Sequence, residues 1–281
     1  MSSHRSFAVV GAGSIGLPIV GALAAQNVSV ILLSRPGSTT KAVPSGVQVV
    51  KVEYGDASAV AEVFKQHKVD VVLSTIATPA LEVQKSLVEA AKLAAVKLFA
   101  PSEYGMPTEG HTEGFLGEKN RFAESVKAAG IPYVRFYTGM FTEWVPWLVG
   151  YSDHGKFRVV GTGEVPISIT SISDIAGFVA HVLTTLPPSE LENRAFRLEG
   201  DRKSLKELGL LFKTTVEQVD LITGEAGDVK TRLMTIVDTG AASTGWDEAN
   251  KVEGSGSNAA GSARAFWPGH QWKTVKDVHN L

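Results

Sequence analysis

The fold is decided by the stretch Phe7-Ala-Val-Val-Gly11-Ala-Gly13-Ser-Ile-Gly16-Leu-Pro-Ile-Val20. A short apolar run, typical of a buried strand, ends in Gly-x-Gly-x-x-Gly and continues directly into an apolar segment that is compatible with a helix. The first glycine permits the tight turn, the second lets the backbone approach a pyrophosphate, and the third lets the helix pack close to the sheet. This order predicts a dinucleotide-binding unit.

The predicted start of the helix also suits an anion. Unpaired N–H groups and the helix dipole favour negative charge there, so the pyrophosphate is expected on Gly11, Gly13, Ser14, Ile15 and Gly16. Glycines at this spacing also occur in ordinary strand–turn–helix connections. The assignment therefore depends on the residues beyond this first helix.

The residues after the second predicted strand indicate which dinucleotide is bound. About 20 residues past the glycines, an NAD-binding chain carries an acid that accepts a hydrogen bond from the ribose 2′-OH. This chain has Ser34 and Arg35 there. A hydroxyl and a guanidinium suit a 2′-phosphate, so we predict NADP(H) as the cofactor. The alternative is a solvated arginine at a strand end.

Composition excludes several classes of function. The 281 residues are 44% hydrophobic, which is enough for a full core, and the net charge of −2 offers no basic surface for nucleic acid or an anionic membrane. The absence of cysteine excludes disulfides, thiolate metal sites and a cysteine nucleophile. No apolar run approaches the ~20 residues of a membrane span, and none precedes the first strand, so we expect a cytoplasmic protein.

Apolar β-rich runs alternate with helix-compatible segments up to about residue 137, which is typical of a parallel sheet covered on both faces. We therefore predict an α/β protein with a Rossmann doubly wound parallel sheet. Strands are expected at 7–10, 28–33, 47–51, 69–74, 96–100 and 133–137, and helices at 15–26, 57–67, 80–94 and 117–129.

The regularity weakens beyond this point. We predict that residues 1–150 form the NADP-binding Rossmann core, and that residues 151–281 form a smaller C-terminal α+β region that binds substrate and is interleaved with the core. Its strands are expected at 157–161, 165–170 and 194–198, its helices at 173–185, 203–213 and 215–223, and a mobile loop rich in Gly, Ser and Asn at 250–261.

Two further loops are candidates for contact with the cofactor. Asp56 follows the third strand and either faces the adenine side of the cofactor or simply caps the next helix. Ser74 ends the fourth strand and Thr75 and Ile76 follow it, beside the glycine loop at the point where the strand order reverses. Ligands bind at this point in doubly wound sheets, so we expect the second loop to face the cofactor.

The catalytic pair of ordinary short-chain dehydrogenases is a Tyr followed four places later by a Lys, which lowers the pKa of the phenol and binds the nicotinamide ribose. None of the five tyrosines has a lysine at that spacing. The chemistry must therefore use other groups.

A different set of motifs comes after the fifth strand. Pro101-Ser-Glu-Tyr-Gly105 directly succeeds it, Lys119 stands on the next predicted helix at a set distance before Gly130-Ile-Pro-Tyr133, and Ser173-Asp-Ile-Ala176 occurs later. In these motifs the chain resembles the isoflavone reductase-like and NmrA-like branch of the atypical short-chain dehydrogenases. The resemblance extends from Phe7 to about residue 185. The family's first loop is often Gly-x-x-Gly-x-x-Gly, from which this chain departs.

The resemblance implies NADPH bound along the carboxyl edge of the sheet, in contact with Pro101, Ser102 and Glu103, and a substrate pocket between the core and the C-terminal region. It also implies that Lys119 lies near the nicotinamide. An ammonium there could bind the nicotinamide ribose, stabilise an oxyanion or exchange a proton. The alternative is a lysine on the solvated face of a helix.

Other candidate residues lie at the carboxyl ends of the fifth and sixth strands or directly after them. Tyr104 and Tyr137 could donate a proton to a substrate oxygen, with packing of the ring as the alternative. The aromatic segment after the sixth strand is expected to line an apolar substrate pocket, or else to serve the core or a subunit contact; its residues are Met140, Phe141, Trp144 and Trp147. The seven histidines show no metal-ligand spacing, so we predict no metal and no covalent nucleophile.

These observations predict an NADPH-dependent reductase of the isoflavone reductase-like type, with a place in secondary metabolism. It would transfer hydride to a C=C, a C=O or an activated C–O carbon of a small, largely apolar or aromatic substrate. The partners expected are this small molecule and, as an open option, a second copy of the chain. The alternative is a non-catalytic NmrA-like regulator that senses NADP(H).

Overall fold

The structure is a computed structural model that describes residues 4–39, 42–77 and 82–281. It contains a parallel sheet in which the strand order reverses on the two sides of the first strand, as in a doubly wound sheet. In the described residues its order is β3-β2-β1-β4-β5, with β1 at Ser6–Val10, β2 at Ser29–Ser34, β3 at Gln48–Lys51, β4 at Val71–Ser74 and β5 at Leu98–Ala100. The predicted α/β Rossmann fold is confirmed.

Helices follow these strands as the alternating pattern predicts. They are α1 at Gly16–Ala24, α2 at Ala57–Gln66, α3 at Gln84–Leu93 and α4 at Gly114–Ala128. The sequence predicts the start of the third helix at residue 80, and residues 80 and 81 lie outside the described residues.

The central strands are apolar because both faces of the sheet are covered. Every residue of β4 is buried, and in β1 only Ser6 keeps partial exposure. Phe64 from α2 and Phe122 from α4 belong to the same buried cluster as Phe99 of β5. Burying a side chain of this size contributes about 1.5–3 kcal/mol, so this cluster holds the helices on the sheet.

The rest of the chain forms shorter elements. The strands are β6 at Val134–Tyr137, β7 at Met140–Phe141, β8 at Phe157–Val159, β9 at Ile167–Thr170, β10 at Arg194–Arg197, β11 at Asp201–Lys203, β12 at Val216–Gln218, β13 at Trp246–Asp247 and β14 at Val252–Glu253. The helices are α5 at Val145–Leu148, α6 at Tyr151–His154, α7 at Ile172–Thr185, α8 at Leu205–Leu211, α9 at Gly227–Asp238 and α10 at Val275–His279.

The start of β6 lies beside β5. An isolated parallel bridge joins Phe99 to Tyr133, and the Phe99 N–H donates to the carbonyl of Pro132 at 2.9 Å. The order of the sheet therefore continues toward β6, which in turn pairs with β10. This is the position that the prediction of a sixth parallel strand requires.

The contacts divide the chain into two units, each made of separate segments. The first unit is Met1–Glu103, His111–Phe136 and Ile175–Phe196, and the second is Tyr104–Gly110, Tyr137–Asp174 and Arg197–Leu281. We predict a cofactor-binding region at residues 1–150 and a substrate-binding region at residues 151–281. This division assigns functions as well as boundaries, and it stays a prediction.

The second unit contains small sheets around its own apolar core. The sheet β11-β9-β7 joins an antiparallel pair to a parallel one, and β8 pairs with β12. Its fully buried side chains include Leu148, Phe157, Ile167, Leu208 and Met234.

The prediction of a helix at 215–223 is wrong. The structure has strand β12 there, with Val216 opposite Phe157 of β8 in a parallel pair. The Phe157 N–H donates to the carbonyl of Thr215 at 3.0 Å, and the Val219 N–H donates to that of Val159 at 2.9 Å. Pairing with a neighbouring strand decides such a short segment, and it overrides local helix preference.

Two other segments of the second unit also differ from the prediction. Helix α9 is absent from the sequence prediction, although Leu233, Met234 and Val237 have helical spacing, and the last two are buried. The expected loop at 250–261 contains strand β14, which pairs with β13, and a 3₁₀ turn at Gly256–Asn258. The Glu253 carboxylate accepts from Ser243 at 2.8 Å, which ties this segment to the unit.

Candidate functional site

The three glycines of the first loop have the separate roles that their spacing predicts. Gly11 has φ +108, and a Cβ there would lie 3.0 Å from Thr75 Oγ1. A Cβ on Gly16 would lie 2.2 Å from the carbonyl oxygen of Gly11. Gly13 is exposed, and no described atom lies within 4 Å of the place for its Cβ. The turn and the helix packing need the outer glycines, whereas the middle one leaves its backbone open to a ligand.

The N-terminus of α1 fits a pyrophosphate. Among the described residues no side chain caps this helix, and its first turn contains no acid. Its first N–H groups and the helix dipole therefore favour an anion. Ser14 is exposed beside this end and Ile15 is buried beneath it.

The loop after β4 is fastened to the loop after β1. Thr75 Oγ1 donates to the carbonyls of Val10 and Gly11, both at 3.0 Å. Ser74, Thr75 and Ile76 are all buried. The structure brings this loop to the glycine loop at the reversal of strand order, and its contact with the cofactor stays a prediction.

A cluster of polar groups lies where β2 and β3 end. Ser34 Oγ is 2.7 Å from Ser38 Oγ. Lys51 Nζ donates to the Ser38 carbonyl at 2.6 Å and to Ser34 Oγ at 3.2 Å. The Arg35 side chain, next in the chain, is exposed. An ammonium, a guanidinium and two hydroxyls at this edge of the sheet form a suitable site for a phosphate.

Lys51 is a candidate that our sequence reasoning missed. It is the last residue of β3, and the parallel register places it opposite Ser34. The signal was present, because the carboxyl ends of neighbouring parallel strands meet at one edge of a sheet.

Asp56 caps α2. Its Oδ1 accepts from the Ala59 N–H at 2.9 Å, so the capping alternative accounts for the residue without a ligand. Its predicted contact with the adenine side stays a prediction.

The Pro101-Ser102-Glu103 segment is buried and links two loops. Ser102 Oγ donates to the carbonyl of Ile76 at 2.8 Å, and the Ser102 N–H donates to Gln84 Oε1 at 3.0 Å. This segment therefore holds the ends of β4 and β5 together. The predicted contact of Pro101, Ser102 and Glu103 with the cofactor stays a prediction.

Glu103 and Lys119 meet in the first unit. Lys119 Nζ donates to the main-chain carbonyl of Glu103 at 2.6 Å, and Glu103 Oε1 accepts from Arg135 Nε at 2.9 Å. Burial lowers the pKa of the Lys119 ammonium, and the negative charge of Glu103 opposes this effect. Lys119 is thus not a fully solvated surface lysine. It lies near the carboxyl end of β5.

The two candidate tyrosines are buried in the second unit. Tyr104 has φ +32, a left-handed conformation that is rare for residues other than glycine, and burial raises the pKa of its phenol. Tyr137 is fully buried, and the Arg197 guanidinium lies over its ring at 5.2 Å. The packing alternative fits Tyr137, and both catalytic roles stay predictions.

The aromatic segment of the second unit has a mixed environment. Phe141 and Trp144 have ring centroids 5.1 Å apart, and Trp144 is 43% exposed. Met140 and Trp147 pack against the core of the unit. Trp144 therefore offers exposed aromatic surface, while its neighbours support the core.

In the described ranges, no three or more His, Cys, Asp or Glu side chains lie together as metal ligands would, and the predicted absence of a metal stays a prediction. None of the helices described is both long and apolar enough to cross a membrane.

Comparison with known proteins decides the family. A profile described as the NmrA-like family matches residues 4–268. The chain belongs to the NmrA-like family. The resemblance to this family that the motifs indicate is thereby confirmed. The match extends to residue 268, whereas the motifs indicate a resemblance only to about residue 185.

Two curated relatives illustrate the similarity. Oxidoreductase BOA1 of Botryotinia fuckeliana is 30% identical over 213 residues, which cover 69% of this chain and 70% of that protein. Leucoanthocyanidin reductase of Desmodium uncinatum is 25% identical over 240 residues, which cover 77% of this chain and 61% of that protein.

Solved structures share the fold of this NmrA-like chain. The binary complex of leucoanthocyanidin reductase with NADPH from Vitis vinifera has a TM-score of 0.78 at 21% identity, with 98% of each chain covered. A structure of AtPrR2 with NADP+ and (+)pinoresinol has a TM-score of 0.74 at 21% identity, with 99% of this chain and 98% of that chain covered.

Proposed function

We propose that the chain is an NADPH-dependent oxidoreductase that reduces a small, largely apolar or aromatic molecule at a C=C, a C=O or an activated C–O carbon. The observation that carries the proposal is Lys119, a half-buried ammonium in the same unit as the glycine loop, held by the Glu103 carbonyl near the carboxyl end of the sheet. Relatives named as oxidoreductases and reductases support the reaction class.

The residues present fit NADP(H). Gly11, Gly13 and the open N-terminus of α1 would hold the pyrophosphate, and Ser34, Arg35 and Lys51 would hold the 2′-phosphate. When bound, the nicotinamide supplies the hydride. Complexes of structural neighbours with NADPH or NADP+ support this choice of cofactor.

Lys119 would act on the proton or the charge that accompanies reduction. Burial lowers the pKa of its ammonium, so proton exchange at Nζ becomes easier near neutral pH than for a solvated lysine. In its charged form the same group stabilises an oxyanion. Tyr104, whose phenol stays protonated, is the second candidate donor, and Tyr137 is a third.

The expected substrate is inferred from the apolar segment of the second unit. Trp144 would supply exposed flat aromatic surface to an aromatic molecule, with Met140 and Phe141 as apolar neighbours. A cytoplasmic location, a role in secondary metabolism and a homodimer are further predictions that belong to this proposal.

The test is a screen of the purified chain with NADPH against ketones, enones and benzylic ethers, read as NADPH oxidation together with product. Turnover that is lost in Lys119→Ala supports the proposal. Tight binding of both NADPH and NADP+ without a product from any substrate class would contradict it, and would favour the regulator that senses the cofactor.

A further inference from the structure

Glu103 binds two cations through two different groups. Its carboxylate Oε1 accepts from Arg135 Nε at 2.9 Å, and its main-chain carbonyl accepts from Lys119 Nζ at 2.6 Å. The side chains of Glu103 and Arg135 are 1% and 3% exposed. The charged carboxylate therefore binds the arginine, and the neutral carbonyl binds the lysine.

Charge alone would favour a different pairing, in which the Glu103 carboxylate also binds the lysine. A buried carboxylate attracts a nearby ammonium, and such a pair would stabilise the protonated lysine. The guanidinium competes well for the carboxylate because it is planar, always charged and less strongly hydrated than an ammonium. A carbonyl holds Lys119 Nζ in place without neutralising its charge.

We propose that Arg135 is a positioning residue for Lys119: by binding the Glu103 carboxylate, it keeps this carboxylate from pairing with the ammonium and leaves Lys119 on the Glu103 carbonyl, able to give up its proton. The use of that proton in reduction rests on the proposed function. The positioning itself does not, because it concerns contacts within the first unit.

A purely structural ion pair between the loop after β5 and strand β6 would have different consequences. Breaking a buried pair from either side is destabilising. In that case the variants of Glu103 and Arg135 should lose stability together, and Arg135→Lys, which conserves the positive charge, should leave the protonation of Lys119 unchanged.

The experiment is trace acetylation of lysines across a range of pH, quantified for the Lys119 peptide by mass spectrometry. Only a neutral amine reacts, so the rate at neutral pH reports the protonation of Lys119 without substrate or cofactor. Arg135→Met releases the carboxylate to pair with Lys119, which raises the pKa of the lysine, and the rate should fall about threefold or more.

Glu103→Gln should have the opposite effect. It removes the negative charge that opposes burial, which lowers the pKa of Lys119 further, so acetylation should become faster by a similar factor. Lys97→Met is the matched control, because it removes an ion pair with Asp70 at the amino end of the same sheet. It should leave the Lys119 rate unchanged.

If Arg135→Met does not fold, Arg135→Lys takes its place. An ammonium holds a carboxylate less firmly than the planar guanidinium, so a smaller slowing is expected. An unchanged or faster rate in the arginine variants, or changes in the same direction in Arg135 and Glu103 variants, would overturn the proposal. Opposite changes together with full turnover in Lys119→Ala would retain the positioning and reject the proposed function.

Discussion

At the residue scale, Lys119 illustrates how position changes the chemistry of a side chain. On a solvated helix face it would be a permanent cation, but partial burial lowers the pKa of its ammonium, and the Glu103 carbonyl directs Nζ. The same residue type at Lys127, on the exposed side of α4, faces Glu124 at 3.9 Å. The two lysines of one helix are thus suited to different tasks.

We expect Lys119→Ala to lower kcat by about 10²-fold or more, because a group acting in proton transfer or charge stabilisation is lost in the transition state. NADPH affinity should change little, since other residues would hold the phosphates. Steady-state kinetics and cofactor titration measure both quantities. Lys127→Ala is the control and should keep wild-type kcat. A rise in KM alone would limit Lys119 to binding.

Arg35→Asp should weaken NADPH binding by roughly 2–5 kcal/mol, because a charge-assisted contact is replaced by repulsion of the 2′-phosphate. NADH binding should be nearly unchanged. Fluorescence titration of both cofactors measures the difference.

Lys51→Met is the companion variant, and it should weaken NADPH binding in the same selective way but by less. Equal weakening of the two cofactors in Arg35→Asp would show that Arg35 does not read the phosphate.

At the element scale, α1 begins against the backbone of its own loop. A Cβ at Gly16 would meet the Gly11 carbonyl, whereas no described atom lies within 4 Å of a Cβ at Gly21 of the same helix. Helix α1 can therefore pack this close to β1 only because Gly16 has no side chain.

Gly16→Ala should accordingly destabilise the protein by about 1–3 kcal/mol, because backbone must move to admit the methyl group. Gly21→Ala, the matched control, should stabilise it by about 0.5–1 kcal/mol through lower chain entropy and higher helix propensity. Urea unfolding of both variants measures these changes in the free energy of unfolding. Equal stability of the two would contradict the close packing.

Element by element, local signals predicted the repeated strand–helix units well, and short paired segments poorly. Gly130-Ile-Pro132 ends α4 within two residues of the expected place, because the glycine and the proline act on their own neighbourhood. Segment 215–223 has local helix preference but forms strand β12, because its pairing partner β8 lies far away in sequence and leaves no local signal.

At the scale of the whole molecule, the first strand is fixed to the sheet by a carboxylate. Asp70 accepts from the N–H groups of Arg5 and Ser6 at 3.0 and 3.2 Å, and pairs with Lys97. Burial raises the pKa of Asp70, but these contacts outweigh it, and the net effect is a lowered pKa. A lowered pKa in the folded state contributes stability above the unfolded pKa, and that contribution is lost as the pH falls through the folded pKa.

We therefore expect thermal stability to fall as the pH drops below the ordinary aspartate range, about 4, and the fall to be shallower in Asp70→Asn. At neutral pH the variant should be less stable than the wild type. Calorimetric melting across acidic pH measures both effects. Glu62→Gln, which removes an exposed pair with Lys65, is the control and should follow the wild-type curve. Parallel curves for Asp70→Asn and wild type would contradict the role of Asp70.

The sequence by itself determined the doubly wound fold and the choice of candidate residues around Gly11, Arg35 and Lys119, because glycine spacing, strand ends and helix breaks act over a few residues. Only the tertiary structure decided that Lys51 meets Ser34 and that the Glu103 carboxylate goes to Arg135. These contacts join residues 17 and 32 positions apart. Local propensity does not specify these hydrogen bonds: strand ends predict which residues share an edge of the sheet, but burial, charge and reach select the partners only after the strands and helices have packed.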